Sequence, residues 1–311
     1  MRFISEAESA ALVTHEMAFF AMRDAMVAAC DPSAATFPVV LGHGSSDINR
    51  FTVKAAATSG LAGLKVGSYW PGNLDLGLAR HNSLILLFDQ DVGKIGVAIE
   101  AGTVNAYRTA AADAVAADLL ARPDASTLAI FGAGHQARYE CAALARIRRL
   151  DTVLVVARDG SKAEAMAADL REHGLNTRPA EAKAACEAAD IIVTATPSRA
   201  PLFDAAWVRP GAHVASMGSD ATGKQELPAE LFQSASLFCD LAEQSRRIGE
   251  FQHAPAGASL TAVGDVIAGR HPGRQSREEI TIFDSSGLSI QDLYIAQRLV
   301  QAAASSSGRL A

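Results

Sequence analysis

A glycine-rich turn between an apolar strand and a helix constrains the fold of this chain more than any other feature. It follows the apolar segment 127–131, and it consists of Gly132, Ala133, Gly134, His135, Gln136 and Ala137. In such a G-x-G-x-x-A turn, the first glycine permits a tight bend, the second lets the backbone approach a pyrophosphate, and the alanine lets the helix pack closely on the strand. The pattern predicts a Rossmann domain in which these residues contact a dinucleotide.

The hydrophobic pattern predicts two domains. After residue 117, apolar runs alternate with helical segments, which is typical of a doubly wound parallel sheet. The expected strands are 127–131, 152–157, 190–195, 213–217, 236–239 and 280–283. The earlier part mixes helices and strands, and a last helix over 289–304 is expected to pack back onto it. We expect an α/β fold, with a Rossmann domain over 117–287 and an α+β domain formed by 1–116 and 288–311.

Composition excludes several functional classes. The chain has 311 residues, a net charge of −6 and 49% hydrophobic residues, so a basic surface for nucleic acid is not expected. Neither a signal peptide nor an apolar stretch of membrane-spanning length is evident, so we expect a cytoplasmic protein without membrane contacts. The four cysteines are scattered and no cluster has metal-ligand spacing, so we expect free thiols and no metal.

Residues at the ends of the expected strands indicate which dinucleotide is bound. Arg158 follows the second strand, where an NAD enzyme usually has an acid that binds the ribose 2′-hydroxyl, and a cation there suits the 2′-phosphate of NADP. Asp159 is the next residue, and it leaves NAD open as the alternative. Thr196, Met217 and Gly218 follow two further strands, so we expect them to border the cofactor as well.

Several segments together resemble the ornithine cyclodeaminase/mu-crystallin family over almost the whole chain. They are Gly63-Leu64-Lys65, Tyr107-Arg108-Thr109-Ala110-Ala111, the glycine-rich turn, Gly218-Ser219-Asp220-Ala221-Thr222-Gly223-Lys224-Gln225-Glu226-Leu227 and Thr281-Ile282-Phe283-Asp284-Ser285-Ser286-Gly287. The resemblance implies a homodimer in which the α+β domain binds substrate and forms the dimer contact. It also implies hydride transfer between a nicotinamide cofactor and C2 of an amino or imino acid. Within the family, the chain looks closest to bacterial imino-acid reductases.

The resemblance also assigns roles to individual residues. Arg50, Lys65 and Arg108 would clamp the substrate carboxylate, since arginine offers a planar fork and lysine a point charge. Asp220, with Lys65, would be catalytic, because a carboxylate can stabilise a protonated imine or handle its proton. The cofactor would also be bound by Thr109, Ser286 and Gly287.

The same residues have plainer interpretations. Arg50 and Arg108 could be solvated charges, and Asp220 could cap a turn. Lys224 and Glu226 are expected to hold their loop in shape.

Three classes of function remain compatible with these residues. The first is an NAD(P)H-dependent reductase of a small α-imino acid, such as Δ1-pyrroline-2-carboxylate or iminosuccinate, or an alanine-type dehydrogenase that runs the same step. The second is ornithine cyclodeaminase, a lyase that recycles its NAD. The third is a non-catalytic binding protein of the mu-crystallin kind. The clamp together with Asp220 favours an enzyme over the third class, and net consumption of NAD(P)H separates the first class from the second, since the lyase shows none.

Overall fold

The computed structural model describes residues 1–307. Within them, the strands are β1 (Arg2–Ile4), β2 (Ala35–Thr36), β3 (Val40–His43), β4 (Arg50–Ala57), β5 (Ala62–Tyr69), β6 (His81–Asp89), β7 (Lys94–Glu100), β8 (Thr127–Phe131), β9 (Thr152–Val156), β10 (Thr177–Pro179), β11 (Ile191–Thr194), β12 (His213–Ser216), β13 (Ala235–Cys239), β14 (Leu260–Ala262) and β15 (Ile280–Asp284).

The α-helices of the same range are α1 (Glu6–Leu12), α2 (His15–Ala29), α3 (Gly102–Leu120), α4 (His135–Ile147), α5 (Gly160–Glu172), α6 (Ala182–Ala188), α7 (Ala242–Ile248), α8 (Val263–Ile267) and α9 (Ser289–Ser307). The chain divides into two compact units. Unit 1 comprises Met1–Arg108 and the C-terminal segment from Leu288, and unit 2 comprises Thr109–Gly287. The first division falls at Arg108 rather than at residue 116, within the continuous helix α3.

Unit 1 is a mixed sheet covered by helices. Its strand order is β1-β7-β6-β5-β4-β2, with β3 also paired to β4. All these pairs are antiparallel except β1 with β7. Helix α9 packs on β4, β5, β6 and α2, which confirms that the last helix returns to the first part of the chain.

Helical spacing of apolar residues over 5–29 predicts one N-terminal helix, and the structure divides it in two. Ser5 and Glu8 form the capping box that starts α1, as their spacing predicts. However, the Oγ1 of Thr14 accepts a hydrogen bond from the backbone N–H of Met17 at 3.1 Å and caps a second helix, α2. A threonine cap inside the apolar pattern therefore divides the segment, because its backbone is extended rather than helical.

Unit 2 is a parallel sheet in the order β10-β9-β8-β11-β12-β15-β13-β14. Every neighbouring pair is parallel. The central strands β11 and β12 are buried along their whole length, as expected for a sheet with both faces covered. The predicted doubly wound Rossmann sheet is confirmed, and its carboxyl edge carries the loops expected to bind a cofactor.

Residues 1–307 were expected to lack membrane contacts and metal ligands. None of the helices in this range combines the length and apolarity needed to cross a bilayer. In the same range, histidine, cysteine and acidic side chains form no group of three or more that could hold a metal ion.

Candidate functional site

The glycine-rich turn of unit 2 has the conformation that its sequence predicts. Gly132 has a φ of 116°, and a Cβ built there would lie 2.7 Å from the carbonyl oxygen of Ala195. Any other residue would therefore be strained in its backbone and would collide with the neighbouring strand end. Ala137, one turn into α4, is fully buried, which agrees with close packing of this helix on the sheet.

The start of α4 is suited to an anionic group. Gly134 is its N-cap and supplies no side-chain hydrogen bond to the first N–H groups. A Cβ built at Gly134 would meet no atom of the described residues within 4 Å. Open space therefore faces the uncapped N–H groups of a 13-residue helix, whose dipole favours negative charge. These residues fit the pyrophosphate of a dinucleotide.

A buried carboxylate, Glu226, ties together two strand ends of the parallel sheet. It accepts hydrogen bonds from the hydroxyls of Thr194, Thr196 and Ser216 at 2.7–3.0 Å. It also accepts the backbone N–H groups of Thr196 and Gly218 at 2.7 and 2.8 Å. Burial raises the pKa of Glu226, and these hydrogen bonds oppose that shift. Glu226 therefore holds the two loops that follow β11 and β12, as its position in the sequence suggested.

Asp220 lies in the loop beyond β12 and its side chain is 57% exposed. The Nζ of Lys224 pairs with the carboxylate of Asp220 and donates to the carbonyl oxygen of Gly218 at 3.1 Å. This contact orients Asp220 relative to the Gly218 backbone. Asp220 is thus an accessible carboxylate beyond the carboxyl end of β12, at the sheet edge where open α/β folds usually bind ligands.

Two charged residues after β9, Arg158 and Asp159, could contact the ribose of a dinucleotide, and their side chains have different environments. The Oδ1 of Asp159 accepts the N–H and the hydroxyl of Ser161 at 3.0 and 2.6 Å and caps α5. These hydrogen bonds lower the pKa of Asp159. Arg158 is exposed beside it. Because Asp159 is engaged as a helix cap, Arg158 is the better placed of the two to meet a ligand.

The loop after β15 is held from inside unit 2. The hydroxyl of Ser286 donates to Asp240 at 2.8 Å and accepts from Gln244 at 3.0 Å. The N–H of Gly287 donates to Asp240 at 2.7 Å, and its φ is 73°. The hydroxyl of Ser286 thus shapes the loop, and a cofactor would meet this loop through its backbone. Thr109 is the first residue of unit 2, and Met217 directly follows β12.

In unit 1, two cations share one buried carboxylate. The Nζ of Lys65 and the Nε of Arg108 lie 2.9 and 3.2 Å from Oδ1 of Asp292. Both also donate to Oδ1 of Asn105, Lys65 at 3.0 Å and Arg108 Nη2 at 2.7 Å. The side chains of Lys65, Arg108 and Asp292 are 6%, 9% and 1% exposed. We call Lys65, Asn105, Arg108 and Asp292 the cation cluster.

The cation cluster carries an excess of positive charge. Burial, together with the nearby charges of Arg108 and Lys54, lowers the pKa of Lys65 to about 7, and the carboxylate of Asp292 opposes this shift. The Oδ2 of Asp292 is buried and accepts no hydrogen bond from the described residues. Buried charges are costly unless they are paired. A small anion would compensate the second cation, and a carboxylate is the anion that an arginine–lysine pair binds well.

The third residue of the expected clamp, Arg50, lies apart from the cation cluster. Strand pairing places Lys54, not Arg50, directly opposite Lys65. Arg50 is exposed and lies four residues from Lys54 along β4, a distance of about 14 Å. Its Nε donates weakly to the carbonyl oxygen of Asp47, at 3.4 Å. Lys65 and Arg108 are therefore the two residues of the expected clamp that the structure brings together, and the clamp role of Arg50 stays a prediction.

Sequence reasoning missed Asn105, Asp292 and Lys54. The spacing of Asp292 could have predicted that it faces the core, because it lies in α9, four residues after the buried Leu288 and three before the buried Ile295. A carboxylate at such a position needs a buried cation. The pattern around Lys54 is a weaker indication: Lys54, Thr52 and Arg50 are two residues apart, so they form a polar row on one face of the strand.

Comparison with known proteins agrees with these features. The model of the ornithine cyclodeaminase/mu-crystallin family matches residues 13–307. This chain belongs to that family. The iminosuccinate reductase of Paracoccus denitrificans is 37% identical over 97% of both chains. Its crystal structure in complex with NAD+ superposes with a TM-score of 0.90, at 36% identity, over 99% of this chain and 97% of that one.

Two further relatives have different names. The alanine dehydrogenase of Archaeoglobus fulgidus is 36% identical over 76% of both chains. The structure of Thermococcus litoralis Δ1-pyrroline-2-carboxylate reductase in complex with NADH and L-proline has a TM-score of 0.90, at 25% identity, over 99% of this chain and 98% of that one. Members of one family thus share the fold while differing in substrate.

Proposed function

We propose that this family member is an NAD(P)H-dependent reductase of small α-imino acids, such as Δ1-pyrroline-2-carboxylate or iminosuccinate. The observation that carries the proposal is the cation cluster, in which Lys65 and Arg108 share the single carboxylate of Asp292. It is the kind of site that an α-carboxylate would complete. The uncapped start of α4 supports the dinucleotide part of the proposal, and NAD+ or NADH is present in the solved structures of two relatives.

In this proposal, each of the named residues has a role in binding the substrate, the protonated imine or the dinucleotide. Lys65 and Arg108 hold the substrate carboxylate and so orient C2. Asp220, which pairs with Lys224, stabilises the positive charge of the protonated imine. When bound, a reduced nicotinamide supplies the hydride that C2 accepts. Gly132 to Ala137, Thr109, Thr196, Met217, Gly218, Ser286 and Gly287 form the surroundings of the dinucleotide.

Assembly and location complete the proposal. We propose a homodimer that acts in the cytoplasm, with unit 1 binding the substrate and forming the dimer contact. The structure of an archaeal alanine dehydrogenase is described as a dimer. Sedimentation of the purified chain measures this directly.

The test is a substrate panel. Purified protein is mixed with NADPH or NADH and with cyclic and acyclic imino acids, and the loss of reduced-cofactor absorbance is followed. The proposal predicts oxidation of the cofactor and formation of the matching amino acid. In a parallel reaction with ornithine and NAD+, formation of proline and ammonia without net use of cofactor would instead identify a lyase. Binding of imino acids with no turnover at all would identify a binding protein.

Arg158 gives a prediction about the dinucleotide. We expect kcat/KM to be higher with NADPH than with NADH, because Arg158 can bind the 2′-phosphate while Asp159 is engaged as a cap. In Arg158→Ala, the preference should fall about tenfold or more, as a charge-assisted hydrogen bond is lost. Arg178→Ala, which removes another exposed arginine of unit 2, is the control. Equal use of NADH by the wild type would rule the preference out.

Lys65 gives a prediction about pH. Because its pKa is lowered to about 7 in the free protein, Lys65 loses its charge as the pH rises through 7, and carboxylate binding should weaken above that pH. The dissociation constant of a non-reacting carboxylate, such as pyrrole-2-carboxylate, should rise by up to about tenfold per pH unit. In Lys65→Arg the charge persists, so this slope should disappear. A slope that is the same in both proteins would assign the titration to another group.

A further inference from the structure

Asp220 is followed directly by a tight turn, residues 221–224, whose middle residues are exposed. The N–H of Lys224 donates to the carbonyl oxygen of Ala221 at 3.1 Å, and Gly223 has a φ of 77°. A positive φ is the conformation that glycine adopts readily in such turns. Lys224, which closes the turn, pairs with the carboxylate of Asp220. The direction of the Asp220 side chain therefore depends on the conformation of the turn.

The side-chain amide of Gln252 binds this turn through both its acceptor and its donor. Its Oε1 accepts the N–H of Gly223 at 2.7 Å. Its Nε2 lies 3.3 Å from the carbonyl oxygens of Ala221 and Lys224 and 2.9 Å from that of Gly249. Because an N–H only donates and a carbonyl oxygen only accepts, these contacts require an amide in this orientation. A carboxylate or an apolar side chain of the same size lacks the donor that they need.

His253 adds a second contact to the same turn. Its Nε2 lies 2.8 Å from the carbonyl oxygen of Lys224. Since this oxygen only accepts, the contact assigns the proton to Nε2, which donates it. The backbone of Lys224 is thus held by Gln252 and His253, and its ammonium group is directed to Gly218 and Asp220.

The two side chains project from a firmly packed segment, the 3-10 turn Glu250–His253. Phe251 of this turn is buried, and its ring packs edge-on against that of Phe232, with centroids 5.5 Å apart. The carboxyl group of Glu250 accepts the backbone N–H of Leu227 at 2.8 Å, where the loop returns to the core. The segment is therefore anchored in the core of unit 2, and such a support can hold an exposed loop in one conformation.

We propose that Gln252 and His253 are positioning residues for Asp220, which hold the turn 221–224 in the conformation in which Asp220 acts. This inference deepens the proposed function and rests on it, since it takes Asp220 as the group that stabilises the protonated imine. The two side chains act through the backbone of the turn and through Lys224, without touching substrate or cofactor. A displacement of about 1 Å in a catalytic group can cost about a hundredfold in rate, so the hydrogen bonds that fix the turn matter for kcat.

Gln252→Met is the first test, because methionine keeps most of the side-chain volume and loses every hydrogen bond of the amide. We expect kcat with the best substrate of the imino-acid panel to fall about ten- to hundredfold, while KM and the dissociation constant of NADPH stay close to the wild-type values. Asn176→Leu is the control, since the Asn176 amide donates to the carbonyl oxygen of Asp151 at 2.7 Å and joins two other segments of unit 2. It should keep wild-type kcat. An unchanged kcat in Gln252→Met would overturn the inference.

His253 is tested by two variants that differ in one donor. His253→Leu removes the hydrogen bond to the carbonyl oxygen of Lys224, and His253→Gln offers an amide nitrogen that can donate to the same oxygen. We expect kcat to fall in the leucine variant and to be largely restored in the glutamine variant. Equal kcat values in the two variants would overturn the role of His253.

A double-mutant cycle separates positioning of Asp220 from general damage to the fold. If Gln252 acts through Asp220, then Gln252→Met should lower kcat little further in the Asp220→Asn protein, because the group that it positions is already lost. A side chain that only supports the fold would lower kcat by the same factor in both backgrounds. Equal factors would therefore overturn the positioning role.

Hydrogen exchange separates failure of this inference from failure of the proposed function, because it needs no turnover. The N–H of Gly223, which donates to Gln252, should exchange about tenfold faster in Gln252→Met than in the wild type, and Asn176→Leu should match the wild type. Faster exchange with no reduction of any imino acid would overturn the reductase proposal but support the hold of Gln252 on the turn. Unchanged exchange would overturn the inference whatever the activity.

Discussion

Asp220→Asn is expected to lower kcat by about 10²–10⁴ while leaving the melting temperature nearly unchanged. The substitution keeps the size of the side chain and part of its hydrogen bonding but removes the negative charge that would stabilise a protonated imine. Asp220 is 57% exposed, so little folding free energy depends on it. If Asp220 only capped a turn, asparagine would replace it almost without loss. The two roles therefore differ in a single measurement of turnover.

The control for Asp220→Asn is Asp265→Asn. Asp265 is a half-exposed aspartate of unit 2 that pairs with Arg270, so it reports the cost of removing an ion-paired surface carboxylate. It should keep wild-type kcat. Turnover near that of the wild type in a folded, cofactor-binding Asp220→Asn protein would assign the charge stabilisation to another group, such as Lys65 or water.

Arg108→Ala is expected to weaken binding of the substrate carboxylate about ten- to hundredfold and to leave the dissociation constant of NADPH unchanged. The physical reason is the loss of a charge-assisted hydrogen bond in a buried site, worth about 1.5–3 kcal/mol. Stability should also fall, because Asp292 keeps Lys65 as its cation but loses Arg108. Calorimetry with succinate or pyrrole-2-carboxylate, and separately with NADPH, measures both affinities.

A matched arginine outside the clamp controls for the general cost of the substitution. The side chain of Arg148 is 11% exposed, close to the 9% of Arg108, and it pairs with Asp118 in unit 2. Arg148→Ala should cost stability without changing carboxylate affinity. A fall in NADPH affinity with unchanged carboxylate affinity in Arg108→Ala would remove Arg108 from the clamp and place it with the dinucleotide residues.

The residues proposed to bind the cofactor were easier to predict from sequence than those proposed to bind the substrate, because most of the former lie in continuous segments. The dinucleotide turn is a continuous segment, and its local backbone conformation requires glycine at Gly132, whose φ is 116°. The residues proposed to bind substrate come from β5 and α3 and contact α9, and Lys65 bonds to Asp292 across 227 positions of sequence. Local patterns report nothing about such a contact.

The sequence alone determined the features that depend on neighbouring residues. Apolar runs marked the strands of the parallel sheet, the capping box marked the start of α1, and G-x-G-x-x-A marked the turn before α4. Each follows from hydrophobic burial or backbone conformation within a few residues, so a linear pattern is sufficient to find it.

Only the tertiary structure decided which polar residues meet. Strand register set Lys54 rather than Arg50 opposite Lys65, and a shift of one residue would have turned every side chain of β4 to the other face. Packing of α9 brought Asp292 beneath two cations, and the fold of the loop after β12 brought Glu226 to five donors from Thr194, Thr196, Ser216 and Gly218. These contacts join segments that are distant in sequence, and their geometry exists only once register and packing are established.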